Sequence, residues 1–124
     1  YRRMPEEVAK TVSEGVYILH TNTAGGRERF VTDSPYIVIN ATMDGMNKVS
    51  HHSLTGSIGF DMYEDNCYVK TFIPPFDISD GYESVFDFED SKEREITINF
   101  PFFFELSYFI NVMKKCIYRC YYKI

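Results

Sequence analysis

The sequence has no tryptophan and only three cysteines among its 124 residues. So few cysteines exclude the dense disulfide framework of small secreted scaffolds, and an odd number cannot pair completely within one chain. We expect Cys67, Cys116 and Cys120 to be reduced, partly buried thiols. Unpaired thiols, and the lack of an apolar signal core after Tyr1, favour a cytoplasmic location over a secreted one.

Long apolar runs are missing as well. Glu105 and Lys114 interrupt the most apolar stretch, so no membrane-spanning helix is predicted.

The formal net charge is −5, and an acidic domain is repelled by phosphate backbones, so nucleic acid is not an expected partner. The acidity is uneven. Beyond Pro101 the only acid is Glu105, whereas the basic residues there are Lys114, Lys115, Arg119 and Lys123.

Aromatic residues are abundant instead. They make up 17% of the chain, with ten Tyr and eleven Phe. Large rings suit β-strands and the cores between stacked sheets. A chain of 124 residues can form one domain with its own hydrophobic core. The composition therefore predicts a single, globular, β-rich domain.

Seven segments have the composition or the alternation of short strands. Alternation is clear where Phe86 and Phe88 oppose Val85 and Asp87. Turn residues such as Ala24-Gly25-Gly26 separate the segments. The predicted strands are residues 16–20, 27–32, 36–43, 58–63, 68–73, 83–88 and 95–100. Near-regular spacing without crossover helices predicts an all-β, antiparallel, jelly-roll-like β-sandwich.

Both ends of the chain have helical features. Pro5-Glu6-Glu7 places a proline and two acids where a helix would begin, which predicts a turn or two of helix. Near the other end, a terminal amphipathic helix is predicted, with an eighth strand through residues 102–110 as the alternative. Its apolar face would supply a homodimer contact. The apolar positions at helical spacing are Phe109, Met113, Cys116, Ile117 and Cys120.

Two serines lie in patterns that partly match a hydrolase nucleophile. Ser34 precedes Pro35 and a β-forming segment, where a nucleophile elbow requires a helix. Ser57 lies between two glycines, but Thr55 stands where G-x-S-x-G requires the first glycine. None of the three histidines has an aspartate three residues before it. We therefore predict no catalytic residue in this chain.

The most distinctive polar pair is His51-His52, in the longest predicted loop, residues 46–56. Loops often carry ligand contacts. Adjacent residues of an extended segment point to opposite sides, so the pair is not expected to chelate a metal. Cys116 and Cys120 lack further ligands, so neither a metal nor a cofactor is predicted. We interpret the histidines as solvated loop residues, with substrate binding as the alternative.

Gly59-Phe60-Asp61-Met62-Tyr63 is a strand with an acid at its centre. A glycine at its start allows a close backbone approach. Phe60 and Met62 share one face, and Asp61 and Tyr63 share the other. A buried acid must find donors, so we interpret Asp61 as a bracket for a neighbouring loop, with a ligand contact as the alternative. Asp61 and Tyr63 join the histidines as substrate-binding candidates.

This segment resembles the G-x-D-L-Y signature of a domain at the N-terminus of SGNH hydrolase-type (GDSL-like) esterases. Other segments resemble the same family in order along residues 1–101. They are Tyr1-Arg2-Arg3-Met4-Pro5, Ala24-Gly25-Gly26-Arg27, Phe30, Thr32-Asp33-Ser34-Pro35, Leu54-Thr55-Gly56, Gly81-Tyr82-Glu83-Ser84 and Arg94-Glu95-Ile96-Thr97-Ile98-Asn99-Phe100-Pro101. The ordered set is more specific than any single piece.

The resemblance implies a jelly-roll sandwich that precedes an α/β catalytic domain, which would carry the serine nucleophile and its Asp and His. The implied role is that of a non-catalytic accessory domain. It would pack on the SGNH-type catalytic domain and shape access for an acylated carbohydrate or a similar ester. The alternatives are a self-standing carbohydrate-binding module and a structural, dimerising remnant of a truncated hydrolase.

The sequence departs from the family pattern at two places. His51-His52-Ser53 stands where the family tends to read His-Met-Pro, so a role of that loop carries over only at His51. After Pro101 the family continues with a strand and a linker, whereas this chain has an aromatic, basic tail. We therefore divide the chain into a GxDLY-type domain, 1–101, and a divergent tail, 102–124, as expected of a truncated or frame-altered gene product.

Overall fold

The computed structural model describes residues 3–43, 48 and 50–102, and the backbone of one further strand at 107–111. The helices in this part are α1 (Glu6–Val12), α2 (Glu14–Leu19) and α3 (Leu54–Ile58). The strands are β1 (Arg27–Thr32), β2 (Tyr36–Thr42), β3 (Phe60–Glu64), β4 (Cys67–Phe72), β5 (Gly81–Asp87), β6 (Arg94–Asn99) and β7 (Ser107–Asn111). These strands pair antiparallel throughout, which confirms the predicted all-β class.

The strands form two sheets, with the orders β1-β6-β3-β4 and β5-β2-β7. Phe60, Met62 and Ile98 of the four-stranded sheet and Ile37 and Ile39 of the three-stranded sheet are fully buried in one apolar cluster. Alternate side chains of β2 and β3 thus face the core, as in the predicted sandwich. The jelly-roll order of connections stays a prediction.

Tyr82 of β5 links the two sheets through the core. Its ring centroid lies 6.4 Å from that of Phe60. Its hydroxyl donates toward the carbonyl oxygens of Ile58, at 3.0 Å, and Phe72, at 3.1 Å. Burial raises the pKa of Tyr82, because the interior disfavours the phenolate.

Lys70 of β4 joins the two sheets at one side. Its ammonium donates a 3.3 Å hydrogen bond to the carbonyl oxygen of Val85 in β5. The same ammonium lies 5.6 Å from the ring centroid of Phe72 and 5.4 Å from that of Phe86. A cation over aromatic faces is stabilising, so Lys70 closes this side without exposing the rings.

Arg94, at the start of β6, holds the turn between β1 and β2. Its side chain is 1% exposed. The guanidinium donates to the carboxylate of Glu64 at 3.2 Å, to the carbonyl oxygen of Ser34 at 3.2 Å, and to the carboxylate of Asp90. The Phe88 ring centroid lies 3.9 Å from the guanidinium carbon. Its positive charge is therefore paired despite burial.

The predicted strand 16–20 is wrong, because these residues belong largely to α2. The Ser13 hydroxyl caps this helix by accepting a 3.2 Å hydrogen bond from the amide of Val16. Glu14 adds a negative charge in the first turn. A short apolar run fits a helix or a strand equally well, so the cap decides. The helix predicted near Pro5 is confirmed by α1.

The predicted loop 46–56 and the strand start at Ile58 also need correction. Ser53 caps α3 by accepting from the amide of Gly56 at 3.2 Å, so Ile58 lies buried in a helix rather than in a strand. The strand begins at Phe60 instead. Residues 44–47 and 49 lie outside the described residues.

Positive backbone φ angles occur at two turns, the first of them at the predicted turn residues Ala24-Gly25-Gly26. Gly25 has φ +82°, although its turn joins a helix to β1 rather than two strands. Asp65 and Asn66, with φ values of 48° and 67°, join β3 to β4. Two consecutive positive values suit a tight hairpin, and Asn and Asp tolerate them better than most residues.

The C-terminal segment forms a strand where the structure describes it. β7 pairs with β2, with Phe109 opposite Asn40. The alternative strand predicted at 102–110 is therefore found at 107–111, and Phe109 does not start a helix. The other positions of the predicted helix, which include Cys116 and Cys120, lie outside the described residues.

The third cysteine, Cys67, is a free thiol, but it is exposed rather than partly buried as predicted.

Candidate functional site

A cavity of about 400 Å³ opens at one end of the four-stranded sheet. We name it the signature cavity. It is lined by the turn before β1, the beginning of α3, the start of β3, one residue of β4 and the segment that leaves β6. The lining residues are Gly25, Gly26, Arg27, Ser53, Thr55, Gly56, Gly59, Asp61, Thr71, Asn99, Phe100, Pro101 and Phe102.

A polar row crosses all four strands of this sheet at the cavity. Arg27 of β1 pairs with Asn99 of β6, Asn99 pairs with Asp61 of β3, and Asp61 pairs with Thr71 of β4. Directly opposed residues of antiparallel strands project to the same face. The row therefore lies on the face opposite the apolar core, with a guanidinium, an amide, a carboxylate and a hydroxyl side by side.

Asp61 is half-buried at the centre of this polar row. Its Oδ1 accepts a 2.6 Å hydrogen bond from the Thr71 hydroxyl, and the Thr71 oxygen lies 2.9 Å from the Tyr68 hydroxyl. Asp61 thus brackets the neighbouring strand β4, whereas the sequence interpretation placed the bracket on a loop. It also lines the cavity, so its candidacy as a ligand contact stays a prediction.

Gly59 connects α3 to β3 in a space that admits no side chain. Its amide donates a 2.9 Å hydrogen bond to the carbonyl oxygen of Thr55. A Cβ atom on Gly59 would collide with this oxygen and would lie 3.3 Å from the carbonyl oxygen of Phe72. The glycine of the signature is therefore required by packing, and it keeps the cavity wall free of a side chain.

Tyr63 lies on the same face as Asp61 but outside the cavity lining. Its ring packs edge-on against Tyr68, with 5.7 Å between the centroids. Phe60 and Met62, the alternate residues of the signature, are fully buried in the core. The expected division of the signature between two faces is thus observed. The binding role of Tyr63 stays a prediction.

His51 and His52 are exposed in the turn before α3 and do not line the cavity. Their ring centroids lie 4.6 Å apart. The segment is a turn, so the two rings lie together instead of pointing to opposite sides of an extended chain. Among the described residues, no group of three or more His, Cys, Asp or Glu could hold a metal ion.

The two serines considered as nucleophiles have structural hydrogen bonds. Ser34 is completely buried, and its hydroxyl donates to the carbonyl oxygen of Tyr36 at 2.6 Å. Its amide donates to the Thr32 hydroxyl at 3.0 Å. Ser57 is 7% exposed, and its hydroxyl donates to the carbonyl oxygen of Ser53 at 2.9 Å. These contacts agree with the turn interpretation of Ser34.

Sequence reasoning missed Arg27, Asn99 and Thr71 as parts of the site. Alternation along β6 does place Asn99 opposite the buried Ile98, so its outward position was predictable. Its position beside Asp61 was not, because β3 and β6 are far apart in sequence and their register is a tertiary property.

The profile of one protein family, described as the N-terminus of SGNH hydrolase-type esterases (GxDLY), matches residues 1–115. The chain belongs to this family. The family description places this domain at the N-terminus of such esterases. A comparison with curated proteins gives no match.

Two solved structures share the fold of this GxDLY domain. One is described as a GDSL-like lipase from Bacteroides ovatus, with a TM-score of 0.81 and 24% identity over 94% of this chain. The other is the salicylyl-acyltransferase SsfX3 from a tetracycline biosynthetic pathway, with a TM-score of 0.61 and 16% identity over 92% of this chain. The chain spans 35% and 34% of their respective lengths.

Segments that carry the family resemblance converge on the signature cavity of the GxDLY domain. Those that contribute to its lining are Ala24-Gly25-Gly26-Arg27, Leu54-Thr55-Gly56, the signature itself and the end of Arg94–Pro101. Another segment, Thr32–Pro35, lies at the turn that Arg94 holds. Four of the resemblance segments therefore meet at one cavity, and a fifth lies at the Arg94 turn. Among the described residues, no helix is long and apolar enough to span a membrane.

Proposed function

We propose that this GxDLY domain is a non-catalytic accessory domain that packs on an SGNH catalytic domain and shapes the access of substrate. The convergence of the resemblance segments on the signature cavity carries this proposal. Segments that are far apart in sequence contribute backbone or side chains to the wall of this cavity. Several of these residues do not belong to the hydrophobic core, so their position is not explained by core packing. A concave site with a few convergent polar groups is the kind of site at which a domain binds a ligand.

The chemistry of the polar row suits the polar part of an ester substrate. Arg27 and Asn99 offer donors to carbonyl or hydroxyl oxygens, and Asp61 and Asn99 offer acceptors to hydroxyl groups. An acylated carbohydrate or a similar ester presents both kinds of group. The exposed His51 and His52 lie just before the cavity-lining Ser53, so they extend the same side of the proposed substrate path.

A hybrid enzyme tests this role. In it, the present chain replaces the matched third of the Bacteroides ovatus GDSL-like lipase. Asp61→Asn or Asn99→Ala should raise KM for a bulky acylated glycoside about tenfold, as expected for one lost hydrogen bond, while kcat for a small aryl acetate changes less than about twofold. Asp77→Asn is the control, because Asp77 is exposed and outside the cavity lining. Equal KM values for all variants would refute the proposed role.

The isolated chain is expected not to hydrolyse an aryl acetate, since the chemistry is assigned to the catalytic domain. The sensitive measurement is release of the chromophore at high protein concentration. Turnover that disappears with Ser34→Ala would contradict the non-catalytic assignment.

A carbohydrate-binding module is the second candidate function. The favouring observation is Phe102, a 58% exposed ring at the cavity that already contains the polar row. Aromatic faces stack on sugar rings while polar groups bind the hydroxyls. Glycan-array binding by the isolated chain that is lost with Phe102→Ala would support it, and binding unaffected by Phe102→Ala would exclude this site.

A further inference from the structure

The two N-terminal helices bury very little within this domain. Across α1 and α2, both of which the structure describes throughout, Ala9 is the only buried residue. Four aliphatic side chains on them are exposed: Val8 by 49%, Val12 by 60%, Ile18 by 64% and Leu19 by 46%. We name these four residues the helical face. With Tyr17, they make up half of the ten exposed large apolar side chains found among the described residues.

Helices of seven and six residues are too short to be stable alone in water. Most helical stability in proteins comes from packing an apolar face, and here that face is directed to solvent. The Ser13 cap and the 2.6 Å ion pair between Glu6 and Lys10 are local supports only. Four exposed aliphatic side chains on two such short helices indicate an interaction site.

Hydrogen bonds connect this helical segment to the signature cavity. The Thr23 hydroxyl, just after α2, donates a buried 2.7 Å hydrogen bond to the carbonyl oxygen of Pro101. The amide of Gly26 donates to the Thr23 carbonyl at 2.8 Å, and the amide of Phe100 donates to the Gly26 carbonyl at 2.9 Å. Gly26, Phe100 and Pro101 line the cavity. These hydrogen bonds tie the segment that follows α2 to the wall of the cavity.

We propose that the helical face is the surface on which the SGNH catalytic domain docks, which deepens and rests on the accessory role proposed above. Family membership places this domain at the N-terminus of SGNH hydrolase-type esterases, and the related chains are about three times as long as the matched part. A partner seated on the helical face would hold the segment that leads through Thr23 and Gly26 to the cavity wall. Docking would thus also affect the shape of the cavity.

Charge favours this occupant over a second copy of the chain. The two helices carry Glu6, Glu7 and Glu14, against Lys10 as their one basic residue, and Lys10 is paired with Glu6. Two copies meeting through this face would bring like charges together, which opposes association. A catalytic domain needs an apolar patch with basic residues at its rim.

Hydrogen exchange tests the docking, with the isolated full chain and the hybrid enzyme compared side by side. Turnover of an aryl acetate first establishes that the lipase part of the hybrid is folded. Amides of residues 6–19 should exchange about tenfold more slowly in the hybrid than in the isolated chain, because docking adds to the free energy of local opening. Ile18→Lys should remove this protection.

Ile73→Lys is the matched control, because Ile73 is 63% exposed and lies outside both helices. It should leave the protection intact. Equal exchange of residues 6–19 in the hybrid and the isolated chain would overturn the proposal. So would dimerisation of the isolated chain that Ile18→Lys abolishes. The two proposals can also be separated from each other. If residues 6–19 are protected in the hybrid but Asp61→Asn leaves KM unchanged, the docking proposal stands and the proposed substrate role fails.

Discussion

The carbonyl oxygen of Thr55 occupies the space in which a side chain on Gly59 would begin, and it accepts a hydrogen bond from the Gly59 amide. The backbone of Gly59 is ordinary, with φ −76° and ψ 154°. The need for glycine is therefore steric, not conformational. Any larger residue must push α3 away from β3 and deform the cavity.

Gly59→Ala should lower the free energy of unfolding by about 1–3 kcal/mol, as overpacking does. Urea unfolding followed by circular dichroism measures the loss. Gly15→Ala is the control, because a Cβ there meets only the Ser13 oxygen at 4.0 Å. Since Gly15 lies in α2, alanine should stabilise by about 0.5–1 kcal/mol. A loss at Gly15 as large as that at Gly59 would contradict the steric explanation.

Arg94→Met should be among the most destabilising single substitutions outside the apolar core. It leaves the carboxylate of Glu64 and the carbonyl oxygen of Ser34 without their buried donor, at a cost of about 3–5 kcal/mol. Lys92→Met removes another partner of Glu64, at 3.4 Å, but Lys92 is exposed, so about 0.5 kcal/mol or less is expected. Similar denaturation midpoints for the two variants would refute the assignment of Arg94.

Tyr82→Phe tests the hydroxyl that bridges the two sheets. The ring remains to pack against Phe60, but the carbonyl oxygens of Ile58 and Phe72 lose a donor. The free energy of unfolding should fall by about 1–2 kcal/mol, as for a buried polar group left unsatisfied. Phe60→Leu should cost stability through packing instead. An unchanged midpoint for Tyr82→Phe would show that the hydroxyl contributes nothing.

The same residue predicts a fall in stability at alkaline pH. Burial raises the pKa of Tyr82 above its usual value of about 10, so above that pH the unfolded state loses the phenolic proton first. The unfolded state is then favoured, and stability falls as pH rises beyond about 10. Urea midpoints should fall less between pH 9 and 10.5 in Tyr82→Phe than in the wild type. If the urea midpoints of the two proteins fall equally with pH, the Tyr82 hydroxyl is not the cause of the alkaline loss of stability.

A double-mutant cycle measures the bond between Asp61 and Thr71. Asp61→Asn and Thr71→Val should show a coupling free energy of about 1–2 kcal/mol in unfolding, typical of a hydrogen bond to a charged group. Asp77→Asn combined with Thr71→Val provides the uncoupled reference. If the losses of unfolding free energy for Asp61→Asn and Thr71→Val simply add, the hydrogen bond between the two side chains does not stabilise the fold.

The strands were predictable where local sequence and tertiary burial agree. β1 was predicted at its observed bounds, and Phe30 is buried there as its alternation requires. The segment 16–20 was not, because Val16 and Ile18 suit either structure and the weak signal of the Ser13 cap decides. The signature drew attention to Asp61, but only the register of β3 with β6 and β4 shows the polar row.

Lys70 has a consequence for the behaviour of the domain in concentrated solution. Among the strands that the structure describes, β4 and β5 are at the edges of their sheets, and an edge offers free backbone groups to strands of other molecules. The ammonium of Lys70 occupies one acceptor of β5, at Val85, and places a charge at the seam. An incoming strand would have to displace and desolvate this charge. The side of the sandwich formed by β4 and β5 is thus protected against fibrous association through these strands.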